Sequence, residues 1–222
     1  MNLSEFEDKK FIDKGTQGKC YLLQDGNVVK IFDYPRNLSQ MRKLKRFKEY
    51  ENESFVFPID FIYNSKKFYG YITKYVPGKA IDDVFSKKNL LDLSKHSFKL
   101  EKNIDFVSSG GIKLNDFHAG NLIYDGNKFV SIDHDDDEFM EDIDLTKEEN
   151  RSAHRILIGK LFLRDLENFD WIHTKLIRNS VREYMYSKMP PSEMIIGIKE
   201  KLDKEYKEDI KKMEDIKSIV RR

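Results

Sequence analysis

The stretch Asn115–Asn121 reads Asn-Asp-Phe-His-Ala-Gly-Asn, and Asp133 follows it at the end of an apolar segment. Asp116, Asn121 and Asp133 all carry side-chain oxygens. A carboxylate can orient a hydroxyl group and accept its proton, while an amide and a second carboxylate can hold Mg²⁺ against phosphates. The types and spacing of these residues therefore predict phosphoryl-transfer chemistry.

Two features earlier in the chain could bind phosphate. The segment Gly15-Thr16-Gln17-Gly18 predicts a turn whose backbone N–H groups can approach an anion, although the segment taken alone favours an ordinary hairpin turn. Lys30 lies in an apolar strand and needs an anionic partner if it faces inward; otherwise it points to solvent. Glu49 is our candidate partner for Lys30, with Glu51 and Glu53 as rivals.

Strands and turns are predicted around all of these residues. Asp25-Gly26 and Asp125-Gly126 each separate two segments rich in β-branched and aromatic residues, which predicts two β-hairpins. Apolar residues at three-residue steps predict a helix over residues 37–52, followed by strands over 55–63 and 68–76. Pro77-Gly78 ends this β-rich part and predicts a hinge.

Beyond residue 80 the pattern is helical, apart from the second hairpin. The predicted helices span residues 81–85, 90–108, 147–162, 171–188 and 192–220. The order of elements predicts an α+β protein with a β-rich part followed by a mainly helical part.

The composition limits the classes of partner. With 39% apolar residues among 222, the chain can bury a core, and 40 Lys+Arg against 39 Asp+Glu leave a net charge of +1. We therefore expect no general attraction to nucleic acid, despite the basic segment 42–48. One cysteine, Cys20, no signal-peptide pattern in residues 1–8 and no apolar run near 18 residues predict a cytoplasmic protein without a membrane span.

The order of these features resembles the protein-kinase-like superfamily. Ile12–Tyr21 looks like the glycine-rich loop, with Asp13 at the usual first glycine, and Val28-Val29-Lys30 looks like the strand that carries the phosphate-binding lysine. Thr73–Gly78 looks like the hinge that meets adenine. This resemblance covers roughly residues 11–145.

The second half of the resemblance departs from protein kinases in detail. Leu114-Asn115-Asp116 stands where they carry His-Arg-Asp, and Asp133-His134-Asp135 stands where they carry Asp-Phe-Gly. The segment Asp116–Asn121 is nearer to the Asp-Leu-His-Pro-Gly-Asn form of aminoglycoside and choline phosphotransferases. Asp142 and Asp144 are candidates for the aspartate that braces the catalytic loop.

The resemblance implies a two-lobed fold, with an N-lobe over residues 1–76 and a shortened helical C-lobe over 77–222. It implies ATP and Mg²⁺ as cofactors. Asp116 would orient the acceptor hydroxyl, and His118 would donate a hydrogen bond to the transferred phosphate. Lys30, paired with Glu49, would hold the α- and β-phosphates.

The remaining roles that the resemblance implies concern the metal and the rest of the nucleotide. Asn121 and Asp133 would ligate Mg²⁺, with Asp135 as a further ligand. Gly15-Thr16-Gln17-Gly18 would cover the phosphates, and Lys74-Tyr75-Val76 would meet adenine.

Four functions stay open from the sequence. We favour transfer of the γ-phosphate to a protein Ser/Thr hydroxyl; a small-molecule hydroxyl acceptor is the first alternative. Asp13 and Asn115, at positions where kinases carry Gly and Arg, would also fit a pseudokinase or nucleotide-dependent binding module. Transfer of AMP would use similar residues. We expect a monomer or a weak dimer.

Overall fold

A computed structural model describes residues 9–169 and 171–220 of the chain, without the side chains of residues 171–173 and 220. Residues 1–8, on which the expectation about a signal peptide rests, lie outside the described residues.

The first part of the chain folds around a five-stranded antiparallel sheet, whose strands lie side by side in the order β1-β2-β3-β5-β4. The strands are β1 (Lys10–Lys14), β2 (Gly18–Leu22), β3 (Asn27–Arg36), β4 (Asp60–Tyr63) and β5 (Phe68–Lys74). The predicted hairpin at Asp25-Gly26 is confirmed, because Gly26 has φ +82° and the Asp25 side chain accepts a hydrogen bond from the backbone N–H of Asn27.

One helix, α1 (Leu38–Phe47), packs on this sheet and continues as a short 3-10 turn to Tyr50. Met41, Leu44 and Phe47 are buried at three-residue steps, as the apolar periodicity predicts. The strand predicted over 55–63 begins only at Asp60: Phe55 and Phe57 bury their side chains in the core instead, and Pro58 has no N–H for a ladder.

The second part of the chain is mainly helical. Its helices are α2 (Ile81–Val84), α3 (Leu90–Ser109), α4 (Ile143–Leu166), α5 (Trp171–Met185), α6 (Pro191–Tyr206) and α7 (Asp215–Val220). The single closing helix predicted over 192–220 is wrong, because α6 ends at Tyr206, the next residue Lys207 has φ +52° in the left-handed region, and α7 begins only at Asp215.

Two small antiparallel ladders position the loops that follow. One joins β6 (Lys79–Ala80), β8 (Leu122–Tyr124) and β9 (Phe129–Ser131), and it contains the second predicted hairpin. The other pairs β7 (Ile112–Lys113) with β10 (Glu138–Phe139). The start of Asn115–Asn121, which we call the catalytic loop, is thereby brought against the end of Asp133–Glu138, which we call the acidic loop.

The two parts share one hydrophobic core. Phe47 of α1 contacts Phe139 of β10, with ring centroids 4.8 Å apart, and the backbone of Ser131 exchanges hydrogen bonds with residues 54 and 56. The α+β prediction is confirmed, whereas the lobe boundary at residues 76 and 77 stays a prediction. No helix of the described chain has the length and apolarity needed to cross a membrane.

Candidate active site

Lys30 lies at the centre of the site, on strand β3, and is 5% exposed. Its Nζ lies 2.5 Å from Asp133 Oδ1 and 3.1 Å from Asp135 Oδ1. Tyr71, opposite Lys30 on strand β5, donates a hydrogen bond of 2.9 Å to the same oxygen of Asp133. Arg36, at the end of β3, lies 2.9 Å from Asp135 Oδ2. Two cations and two carboxylates therefore meet in a largely buried cluster.

The electrostatics of this cluster follow from burial and pairing. Burial lowers the pKa of Lys30, but the two carboxylates outweigh it and raise the pKa above its ordinary value. Burial alone would raise the pKa of Asp133, but its hydrogen bonds and the charge of Lys30 hold it well below its usual range. Burial and the adjacent Asp133 raise the pKa of Asp135, against the effect of Lys30 and Arg36.

The backbone of the acidic loop is held from the α1 side. Asp133 has φ +64°, in the left-handed region, which costs a non-glycine residue energy although Asp tolerates it better than most. Gln40 Nε2 and Lys43 Nζ each lie 3.1 Å from the carbonyl oxygen of Asp135, and Lys43 also donates to the carbonyl of Asp137.

A buried histidine fixes the middle of the acidic loop. His134 Nδ1 lies 2.8 Å from Asp137 Oδ2, and Nε2 lies 3.1 Å from the carbonyl oxygen of Ser131. Both ring nitrogens face acceptors, so both carry protons. Burial opposes this charge, but Asp137 and the Ser131 carbonyl raise the pKa of His134. The pair also meets the catalytic loop, since Asp137 Oδ1 accepts the backbone N–H of Asn115 at 2.9 Å.

The catalytic loop presents its polar side chains to solvent. Asn121 Nδ2 donates to Asp116 Oδ2 at 2.9 Å, so the amide nitrogen is used and Oδ1 is the atom that can accept or coordinate. His118 Nδ1 accepts the N–H of Gly120, which leaves Nε2 to carry the ring proton. That nitrogen lies 3.4 Å from Asp116 Oδ1, and the two side chains are 55% and 43% exposed.

The base of the catalytic loop is braced by a buried asparagine on α4. Asn150 Oδ1 accepts the N–H of Leu114 at 2.9 Å, and its Nδ2 donates to the carbonyl of Ile112 at 2.8 Å. Asp142 caps the N-terminus of α4 and Asp144 is exposed in its first turn, so neither of these candidates is the brace.

A cleft of about 400 Å³ joins these groups to the predicted nucleotide-binding segments. Its wall includes Gly15, the hinge segment Lys74-Tyr75-Val76, Asn121, Lys30 and Asp133. Apolar side chains of Ile12, Val28, Ile123 and Ile132 also line it. The cleft thus brings apolar side chains and the hinge segment together with the charged groups of Lys30 and Asp133.

The glycine-rich turn contributes Gly15 to this cleft and contacts the acidic loop. Gln17 Nε2 donates to Asp136 Oδ2 at 2.6 Å and so ties the turn to the acidic loop. Gly18 is required by packing, because a Cβ there would lie 2.3 Å from the carbonyl oxygen of Ile31. Thr16 is exposed in the turn. Nucleotide binding by Gly15, Thr16, Gln17 and Gly18 stays a prediction.

The predicted pair between Lys30 and Glu49 is wrong. Glu49 is exposed in the 3-10 turn after α1, and no ion pair joins it to Lys30 among the described residues. Its rival Glu51 lies 2.5 Å from Lys74 Nζ at the hinge segment. The other rival, Glu53, lies 3.5 Å from Asn103 Nδ2. The carboxylates that reach Lys30 come instead from the acidic loop.

The donor set at Asp133 and Asn121 fits a magnesium ion. Mg²⁺ takes hard oxygen ligands and is held in nucleotide sites by one or two protein groups together with phosphate and water. A carboxylate and an amide oxygen on the wall of the cleft meet that need. No group of three or more His, Cys, Asp or Glu side chains suited to a metal occurs in the described part of the chain. The Asp135 carboxylate faces Lys30 and Arg36 instead.

Sequence reasoning missed several residues of the site: Arg36, Gln40, Lys43, Tyr71 and Asp137. One signal was available, because α1 contains no acidic residue between Leu38 and Phe47, whereas Gln40 and Lys43 share a face. A helix of that composition can offer cations and N–H donors to its neighbours but no carboxylate. The partners of Tyr71 and Asp137 are distant along the chain and leave no such signal.

No protein-family model and no curated protein sequence matches the chain. Among solved structures, the autoinhibited serine kinase domain of the giant muscle protein titin superposes with a TM-score of 0.61. The two chains are 11% identical over 88% of this chain and 80% of that chain. The kinase PK-1 of Cydia pomonella granulovirus gives a TM-score of 0.48 at 21% identity over 63% of this chain and 56% of its own. The chain has a protein-kinase-like fold.

Proposed function

We propose that this protein transfers the γ-phosphate of ATP to a hydroxyl group, with a protein Ser/Thr side chain as the favoured acceptor. The observation that carries the proposal is the gathering of Lys30, Asn121 and Asp133 on one cleft, with Asp116 bonded to Asn121 at its edge. These residues come from both parts of the fold. Phosphoryl transfer needs chiefly such positioning and charge neutralisation.

Each side chain has a role that its contacts support. Asp116 accepts a hydrogen bond from the acceptor hydroxyl and later its proton, while Asn121 fixes the carboxylate through its Nδ2. Lys30 binds the α- and β-phosphates. His118 offers the Nε2 proton, at 3.4 Å from Asp116, to an oxygen of the transferred phosphate.

In this proposal the remainder of ATP occupies the same cleft. Lys74-Tyr75-Val76 meets adenine, and the turn Gly15-Thr16-Gln17-Gly18 covers the phosphates. Asn121 and Asp133 would hold Mg²⁺, which when bound supplies charge neutralisation at the β- and γ-phosphates.

A small-molecule acceptor is the second candidate, and a second cavity favours it. This cavity has a volume of about 580 Å³, within the range of small-molecule sites, and lies against the catalytic loop at Phe117–Gly120. Its apolar wall comes from α4, and Asp82, Lys160 and Arg164 are its charged residues. Gly120 lines this cavity and the nucleotide cleft alike.

Parallel incubations with γ-labelled and α-labelled ATP test the proposal. The γ-label alone should appear on the protein, on a generic protein substrate or on one of a panel of amino-alcohols and aminoglycosides. The variant Asp133→Ala should abolish the transfer. Label from α-labelled ATP on the product would indicate AMP transfer, and nucleotide binding without any transfer would indicate a pseudokinase; both outcomes contradict the proposal.

A further inference from the structure

The partner of Lys30 departs from the arrangement that the kinase resemblance implies, in which a helix glutamate holds the strand lysine. Helix α1 contains no acidic residue over Leu38–Phe47. The helix instead presents Gln40 and Lys43, whose side-chain nitrogens lie 3.1 Å from the backbone carbonyl oxygen of Asp135. The helix therefore donates to the acidic loop and offers no anion to the strand.

The anion comes from Asp135 itself. Its side chain is 4% exposed and lies 3.1 Å from Lys30 Nζ and 2.9 Å from an Arg36 nitrogen. Both cations belong to strand β3. A buried carboxylate is costly unless it is paired, and these two cations provide the pairing. Asp136, the next residue, has a side chain that is 41% exposed, so not every carboxylate of the acidic loop is buried.

A second carboxylate is needed because Asp133 is shared. Asp133 contacts Lys30 at 2.5 Å and is also the carboxylate that fits a metal together with Asn121. A carboxylate engaged by a divalent cation has less charge to offer a lysine. Asp135 faces Lys30 from the same loop and holds its ammonium group in place whether or not Asp133 is engaged by a metal.

We propose that Asp135 is the positioning residue for Lys30, in place of a helix glutamate, and that it is not a magnesium ligand. Gln40 and Lys43 dock α1 on the acidic loop and so hold Asp135 in reach of Lys30. This inference rests on the proposed function, since positioning Lys30 matters for holding nucleotide phosphates.

A double-mutant cycle of Lys30→Met and Asp135→Asn tests the inference in the full chain. The first readout is the affinity for a fluorescent ADP analogue without divalent metal. The second is the affinity of the protein–nucleotide complex for Mn²⁺, measured by electron paramagnetic resonance. Asp136→Asn is the matched control for a loop carboxylate, and Asp133→Asn is the control for a metal ligand.

The inference predicts that Asp135→Asn weakens metal-free nucleotide binding about tenfold in the wild-type background, the effect of about one charge-assisted hydrogen bond. The same change should have no effect in the Lys30→Met background. Mn²⁺ affinity should fall with Asp133→Asn alone. A fall of equal size with Asp135→Asn, or an equal nucleotide loss in both backgrounds, would overturn the inference.

A second variant leaves every buried carboxylate in place. Lys43→Ala should weaken metal-free nucleotide binding in the wild-type background and not in the Lys30→Met background, whereas Arg42→Ala, at the neighbouring exposed position, should have no effect. Equal behaviour of Lys43→Ala and Arg42→Ala would overturn the docking role of α1. Nucleotide binding and γ-phosphate transfer by the wild-type protein report separately on the proposed function.

Discussion

The acidic loop and the catalytic loop face the same cleft but are built in opposite ways. In the acidic loop, His134, Asp135 and Asp137 are each less than 5% exposed and take part in ion pairs. In the catalytic loop, Asp116 and His118 have side chains that are about half exposed. One loop is thus fixed by buried contacts, and the other leaves the side chains of Asp116 and His118 accessible to solvent.

Two buried histidines, one in the acidic loop and one behind the catalytic loop, differ in their charge. His134 of the acidic loop faces two acceptors and is charged. His154 of α4 lies behind the catalytic loop, with its ring centroid 6.0 Å from that of Phe117, and its Nε2 is 3.1 Å from Ser97 Oγ. Burial, with a smaller effect of Arg155, lowers the pKa of His154 to about 3, so this histidine is neutral. The acidic loop thus contains a charged histidine that is paired with Asp137, whereas the histidine behind the catalytic loop is uncharged.

The largest effect on stability should come from breaking the buried ion pair of His134 and Asp137 in the acidic loop. Asp137→Asn leaves the His134 imidazolium buried without its counter-ion, which should lower the free energy of unfolding by about 3–5 kcal/mol. Urea denaturation at neutral pH measures this. Asp136→Asn, on an exposed side chain of the same loop, should cost less than about 1 kcal/mol. Equal losses for the two variants would remove the contrast between buried and exposed positions.

A smaller effect should appear in the pH dependence of the free energy of unfolding, to which His154 contributes. Native His154 stays neutral down to about pH 3, whereas in the unfolded chain it takes up a proton near its ordinary pKa of 6.5. The unfolded state therefore binds more protons below pH 6.5, and this contribution to stability is lost as the pH falls, by about 1.4 kcal/mol per pH unit.

The variant His154→Gln removes that titration and keeps a group that can bond Ser97. The difference in free energy of unfolding between wild type and variant should therefore change between pH 6.5 and pH 4, with wild type losing stability faster. His134 contributes in the opposite direction, since its raised pKa gives stability that is lost as the pH rises, but it is common to both proteins and cancels. Parallel pH profiles would show that His154 is not held neutral.

The sequence predicted the local elements of the fold well, because strands, turns and helix faces are coded by neighbouring residues. Both Asp-Gly hairpins and the apolar stripe of α1 are in place. The strand over 55–63 was predicted too long. Phe55 and Phe57 are buried in the core outside the sheet, and their apolar pattern in the sequence is the same as that of a buried strand.

The site was predictable in its residue types and less so in its pairings. Lys30 lies 103 residues before Asp133 in the sequence, and a spacing argument limited to the following helix selected Glu49 instead. Asn150, which braces the catalytic loop, sits in the middle of a long helix and carries no motif. Contacts of this kind are set by the packing of distant elements, so only the three-dimensional structure reveals them.

The central claim is that the catalytic loop acts in phosphoryl transfer, whereas other residues bind the nucleotide. The most direct test is to measure the single-turnover rate of transfer from ATP and the affinity for ATP in the variant Asp116→Asn. The exchange keeps the size of the side chain and an oxygen for Asn121 to bond. The account predicts a transfer rate lower by about 10²–10⁴-fold with ATP affinity unchanged, because Asp116 acts on the acceptor proton. Transfer at the wild-type rate, or a loss of ATP affinity as large as the loss of rate, would contradict it.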